Sequence, residues 1–127
     1  MFNLSESECL PRILLVDDDK DHLMLFKLVL EDGGYSVDAY TDPDKAPSKF
    51  RPNYYDLAVL DYLIPHLNGI ELYRRIREID PRIRCSILTA TREIFNEDNP
   101  ESPNDLKLIR KPIGNEELLL NIREQVS

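Results

Sequence analysis

From residue 11 onward, short apolar runs alternate with amphipathic stretches. Residues 12–16, Arg-Ile-Leu-Leu-Val, form a continuous apolar run that ends in Asp17-Asp18-Asp19. A run so short, apolar on both faces, predicts a strand buried in a parallel sheet. Residues 21–32 carry Leu23, Phe26, Lys27 and Leu30 at helical spacing, and Gly33-Gly34 is a helix stop. Residues 35–40 alternate and predict a second strand. Thr41-Asp42-Pro43 reads as a helix entry, with Pro47 keeping that helix short. A third buried strand covers residues 56–60 and ends at Asp61. Asn68-Gly69 reads as a turn. Residues 70–79 form an amphipathic helix with Leu72, Tyr73 and Ile76 inward, and Pro81 follows its end. Residues 84–89 predict a fourth strand. Residues 106–109 predict a fifth, which ends at Arg110-Lys111-Pro112. Residues 115–126 give the last helix, with Leu118, Leu119 and Ile122. Strand and helix in alternation specify an α/β fold, with a parallel sheet and helices on both faces.

The segment before the fifth strand breaks this rhythm. Pro100 and Pro103 exclude a continuous helix there, and Asn99 and Ser102 are pushed out of the helical region. At most residues 92–98 can be helical. The expectation is a short or irregular fourth helix and a mobile acidic loop.

The length of 127 residues fits one domain with its own core. Residues 1–10 read as a loosely held leader and residues 11–127 as the domain. Hydrophobic residues make up 42% of the chain, which argues against wholesale disorder. Acids outnumber Lys and Arg by 24 to 16, for a formal charge of −8. That balance disfavours nucleic acid, anionic membranes and acidic partners, all of which call for a cationic surface. No apolar run is long enough to span a membrane, and residues 1–10 lack the features of a secretory signal. Cys9 and Cys85 are far apart, and His22 and His66 have no metal-like spacing. A surface thiol and a small core residue in a reducing cytoplasm account for the cysteines. His66, Tyr54, Tyr55 and Tyr73 are read as structural or surface residues.

Ligands of open α/β sheets bind beyond the carboxyl ends of the strands. Strand one ends in Asp17, Asp18 and Asp19, strand three in Asp61, strand four in Thr89-Ala90 and strand five in Lys111-Pro112. Clustered carboxylates repel one another, so they call for a hard cation such as magnesium. An aspartate can also act as nucleophile towards a phosphoryl group. A lysine and a threonine hydroxyl suit phosphate oxygens by charge and by hydrogen bonding. Singly, each residue has a plainer reading: Asp19 or Asp21 as a helix cap, Asp61 as a turn residue, Thr89 as a strand end, Lys111 as a surface charge.

The set Val16-Asp17-Asp18, Leu60-Asp61, Ile64-Pro65-x-x-x-Gly69, Leu88-Thr89-Ala90 and Lys111-Pro112 resembles the receiver domain of two-component response regulators. The resemblance runs from about Arg12 to Val126. It implies a flavodoxin-like, doubly wound sheet of five parallel strands in the order 2-1-3-4-5. It also implies Asp61 as phosphoryl acceptor and Asp17, Asp18 and Asp61 as magnesium ligands, with the Leu63 backbone carbonyl as a further one. Thr89 and Lys111 would act on the phosphoryl group, and the Lys111-Pro112 bond would be cis. The implied partners are a histidine kinase or phosphotransfer protein as donor and a downstream protein as readout. The implied protein is a stand-alone, cytoplasmic monomer or weak dimer. It catalyses only its own phosphorylation and dephosphorylation.

The chain departs from the family pattern in places. Leu108 stands three residues before Lys111, where receivers usually carry an aromatic switch. Ile64 and Ile113 replace a methionine and a phenylalanine, apolar for apolar. Leu63 and Thr91 hold positions that tune water access to the phosphoryl group, and leucine there predicts slow self-dephosphorylation. Leu108 and the broken fourth helix favour an alternative, a pseudo-receiver that binds proteins without phosphorylation. A haloacid-dehalogenase-like phosphatase fits Asp17-x-Asp19, but Asp21 stands where Thr or Val belongs. A calcium loop fails at His22 and Leu28, where Gly and Glu belong.

Overall fold

The computed structural model describes residues 10–43, 45, 50–64, 67–90 and 106–126, with residue 67 described for its backbone only. The elements in chain order are β1 (Arg12–Val16), α1 (Lys20–Asp32), β2 (Ser36–Tyr40), β3 (Leu57–Asp61), β4 (Leu63–Ile64), β5 (Leu67–Asn68), α2 (Gly69–Ile79), β6 (Arg84–Thr89), β7 (Lys107–Arg110) and α3 (Asn115–Val126). Five strands make one parallel sheet in the order β2-β1-β3-β6-β7. Counted within that sheet, this is the expected 2-1-3-4-5 order. β4 and β5 form a separate antiparallel pair that the hydrophobic pattern did not announce.

The two-sided burial of the sheet explains the apolar runs. In β1, Leu14 and Val16 join a cluster with Leu60, Leu72, Ile76 and Ile87. Ile13 and Leu15 join one on the opposite face with Phe26, Leu30, Val59, Leu118 and Ile122. Side chains of a strand alternate between faces, so a strand covered on both sides must be apolar throughout. α2 supplies the first cluster, and α1 and α3 the second, so helices lie on both faces.

Local chemistry sets the helix ends. The Asp19 side chain caps α1 by accepting from the backbone N–H groups of Asp21 and His22. Of the two helix-stopping glycines, Gly34 takes the left-handed backbone, with φ at 99°, while a Cβ on Gly33 would press on Leu119 Cδ2. The Gly34 and Tyr35 N–H groups donate back to Glu31 and Leu30 carbonyls and close the helix.

Several boundaries shift by a residue, and three of the shifts bear on the site. β3 runs one residue further than expected, so Asp61 lies inside the sheet, paired with Leu88. β7 starts and ends one residue later than expected. Asn68-Gly69 is a helix entry: Asn68 caps α2 and Gly69 is its first residue. The predicted second helix beyond residue 45, the fourth helix, the acidic loop and residues 1–9 lie outside the described residues. Among those described, no helix is long and apolar enough to cross a membrane.

Candidate functional site

The carboxyl ends of β1, β3, β6 and β7 bring the predicted residues to one edge. Asp17 follows β1, and its backbone N–H donates to Tyr40 O at 3.2 Å. Its side chain is 1% exposed. One carboxylate oxygen, Oδ1, accepts from Asp19 N–H at 3.0 Å. The other, Oδ2, is buried and accepts no hydrogen bond; its neighbour is Lys111 Nζ at 3.6 Å. Asp61 ends β3 and is buried. Its Oδ1 accepts from Lys111 Nζ at 2.9 Å. Asp18 is exposed at the rim. Carboxylate oxygens of Asp17, Asp18 and Asp61 lie within 4.8 Å of one another.

Lys111 thus sits between two buried carboxylates. Its position is held from behind, because its backbone N–H donates to Thr89 O at 2.8 Å. The Lys111-Pro112 bond is cis, as the resemblance implied. Thr89 is buried at the end of β6, one residue beyond Leu88, the strand partner of Asp61.

The electrostatics follow from this crowding. Burial pushes the Asp61 carboxyl above the ordinary carboxylate range; the Lys111 ammonium opposes the shift, and the Asp17 and Asp18 charges add to it. Asp19, exposed at the helix start, is held below that range chiefly by the His22 amide. One lysine faces three carboxylates, so the cluster carries excess negative charge. An all-oxygen donor set with one buried oxygen that accepts no hydrogen bond suits a hard divalent cation.

Leu63 lies on β4, two residues beyond Asp61, with its side chain 66% exposed. Leu108 is half-buried against the α2-side cluster, with Tyr62 and Tyr40 on the same cluster. Ile113 packs against the opposite one. Thr91 lies outside the described residues.

Gly69, part of the family pattern and expected in a turn, instead opens α2. Its N–H donates to Tyr62 O at 2.9 Å. The start of α2 is thereby pressed against the turn that follows Asp61. Asn68 Oδ1 accepts from Glu71 N–H at 2.9 Å. The signal was present as Asn-x-x-Glu, a capping pattern, but Asn-Gly was read as a turn.

Comparison with known proteins agrees with this fold. The response regulator receiver domain family matches residues 13–123. The response regulator receiver protein CpdR of Brucella abortus is 30% identical over 115 residues, covering 91% of this chain and 96% of CpdR. The transcriptional regulatory protein DltR of Streptococcus agalactiae is 32% identical over 112 residues; the match spans 88% of this chain and 50% of DltR. The chain therefore spans nearly all of CpdR but about half of DltR. The non-phosphorylated HemR receiver domain of Leptospira biflexa superposes with a TM-score of 0.79 at 31% identity, covering 92% of this chain and 94% of that one. The chain belongs to the receiver domain family of response regulators, a family of signalling rather than mainly catalytic proteins.

Proposed function

We propose that this chain is the phosphoacceptor of a two-component phosphorelay and that Asp61 takes the phosphoryl group. The observation that carries the reading is Lys111 Nζ at 2.9 Å from Asp61 and 3.6 Å from Asp17, beside three mutually close carboxylates. An Asp61 oxygen would form the new P–O bond while the donor's P–N bond breaks, its electron pair returning to a ring whose other nitrogen carries a proton, so that a neutral imidazole is left on a histidine kinase or phosphotransfer protein. Lys111 would move from the carboxylate to the phosphoryl oxygens, and the Thr89 hydroxyl would hydrogen-bond to them. Asp17, Asp18, Asp61 and the Leu63 carbonyl would hold Mg2+. The ion would neutralise charge that otherwise repels the incoming phosphoryl group. The chain catalyses only its own phosphorylation and dephosphorylation. Residues 11–127 act as one cytoplasmic domain, monomeric or weakly dimeric, that is read by a downstream protein.

Intact-mass spectrometry after incubation with acetyl phosphate tests this. One phosphoryl adduct is expected, dependent on Mg2+ and absent in Asp61→Asn. No adduct and no Mg2+ binding would overturn the reading. The chain would then be a pseudo-receiver, as Leu108 at the aromatic switch position favours.

A further inference from the structure

The other end of the sheet carries a feature the net charge conceals. Four arginines from three separate stretches of the chain, Arg12, Arg51 and the pair Arg82 and Arg84, lie at that end. The Arg12 and Arg51 guanidinium carbons lie 4.4 Å and 4.0 Å from the centroid of the Tyr54 ring. Tyr54 meets the Tyr55 ring edge-on at 4.9 Å, and Tyr55 stacks on the buried Phe50. Tyr55 also donates to Asp38 Oδ2 at 2.6 Å, which fixes it to β2. Beside this aromatic stack is a cleft of about 340 Å3, lined in part by Asn53, Tyr55, Arg82, Arg84 and Gln125. Strand pairing places the two halves together: Asp56 exchanges hydrogen bonds with Arg12, and the next residue, Leu57, pairs with Arg84.

Besides Asp38, which holds the Tyr55 hydroxyl, two carboxylates lie in the same region, and both are engaged by the backbone. Asp56 accepts from Arg12 N–H, and Asp80 from the Asn53 and Arg82 N–H groups. Among the described residues, none of the four guanidinium groups forms an ion pair. Arg84 instead donates to the Gln125 carbonyl. Guanidinium groups stacked on a ring are already ordered, so their outward N–H groups can bind carboxylates at a smaller entropic cost. Tyrosine and arginine are also the residues that most often anchor protein interfaces.

We propose that this end of the sheet is a docking surface for an acidic segment of a protein partner, with Arg12, Arg51, Arg82 and Arg84 as anchors. The Asp56 and Asp80 carboxylates disfavour a polynucleotide, whose continuous phosphate charge would meet them, whereas a short acidic segment can seat its carboxylates on the arginines alone. β1 separates the surface from Asp17 by its full length, roughly 15 Å. A partner could therefore sit here while Asp61 stays accessible.

Fluorescence anisotropy with a labelled hexaglutamate peptide at low salt tests the proposal. Saturable binding is expected, weakened about tenfold by Arg51→Glu with Arg82→Glu and less than twofold by Arg75→Glu on the exposed side of α2. Arg51→Lys, which keeps the charge and loses the planar fork, is expected to weaken it about threefold. Asp61→Asn should leave binding unchanged, so the result stands apart from the phosphoacceptor reading. Four results would each overturn the proposal. They are no binding by the folded wild type at millimolar peptide, equal loss in Arg75→Glu, equally tight binding of a thymidine hexanucleotide, or dimerisation of the chain that Arg51→Glu abolishes.

Discussion

A Cβ on residue 69 would stand 2.6 Å from the backbone carbonyl oxygen of Asp61 and 3.0 Å from Ile87 Cδ1. The strand that ends in Asp61 and the helix that begins at Gly69 touch backbone to backbone. The neighbour is the main chain of the candidate acceptor itself, so it cannot turn aside as a side chain could.

Gly69→Ala should therefore push α2 away from β3 and displace Asp61. Overpacking of this kind costs about 1–3 kcal/mol. A urea titration should show the midpoint falling with the slope unchanged, and acetyl phosphate labelling should slow in variant that is still folded. Full stability with full labelling would mean that α2 shifts freely and that the close approach does not hold Asp61.

Burial and the charges of Asp17 and Asp18 raise the Asp61 carboxyl despite Lys111, which has a consequence for stability. An acid whose folded-state pKa is raised holds more protons folded than unfolded between its ordinary value and the raised one. Stability falls as pH climbs through that window. At neutral pH the ionised carboxylate costs stability that an amide would not. Asp61→Asn should raise Tm at pH 7. The gap should close below the ordinary carboxylate range and narrow when Mg2+ is added. A lower Tm for Asp61→Asn at pH 7 would show that the Lys111 pair outweighs the repulsion.

The residues of this cluster were legible because each stands where a short apolar run stops. Asp17, Asp61 and Thr89 follow or end β1, β3 and β6, and a parallel sheet carries all such ends to one edge. Helices with a strong apolar stripe were equally plain, α2 above all. Asn68-Gly69 misled because the same dipeptide serves a hairpin turn or a capped helix entry, and the Asn68 cap on Glu71 N–H makes it the latter. The arginine surface was hidden for a different reason. Residues 12, 51, 82 and 84 share no local pattern, and the net charge pointed away from an acidic partner. Their meeting depends on strand order, which no window of sequence contains.

Lys111 is the one cation paired with Asp17 and Asp61 among the described residues. Lys111→Ala removes a positive charge from beside the carboxylates and leaves them facing one another. The two activities of the site should then separate. Mg2+ should bind several-fold more tightly, because the negative potential is no longer offset. Labelling by acetyl phosphate should slow by at least about tenfold, because the phosphoryl oxygens lose their partner. A magnesium titration followed by NMR, together with a labelling time course, reads both. Weaker Mg2+ binding would mean that the lysine mainly orders the carboxylates rather than competing for them.

Leu63 presents a 66%-exposed hydrocarbon two residues from Asp61. Loss of the phosphoryl group requires a water placed in line with the P–O bond. A leucine beside that path offers no hydrogen bond to hold one, whereas an amide of similar size would. The side chain is already in solvent, so replacing it disturbs no packing and the fold should keep its stability to within about 0.5 kcal/mol. Leu63→Asn should shorten the half-life of the phosphorylated protein several-fold, measured by the decay of the phosphoryl adduct after the donor is removed. An unchanged half-life would show that water reaches Asp61 by another route, and that the slow hydrolysis expected of this chain does not depend on the leucine.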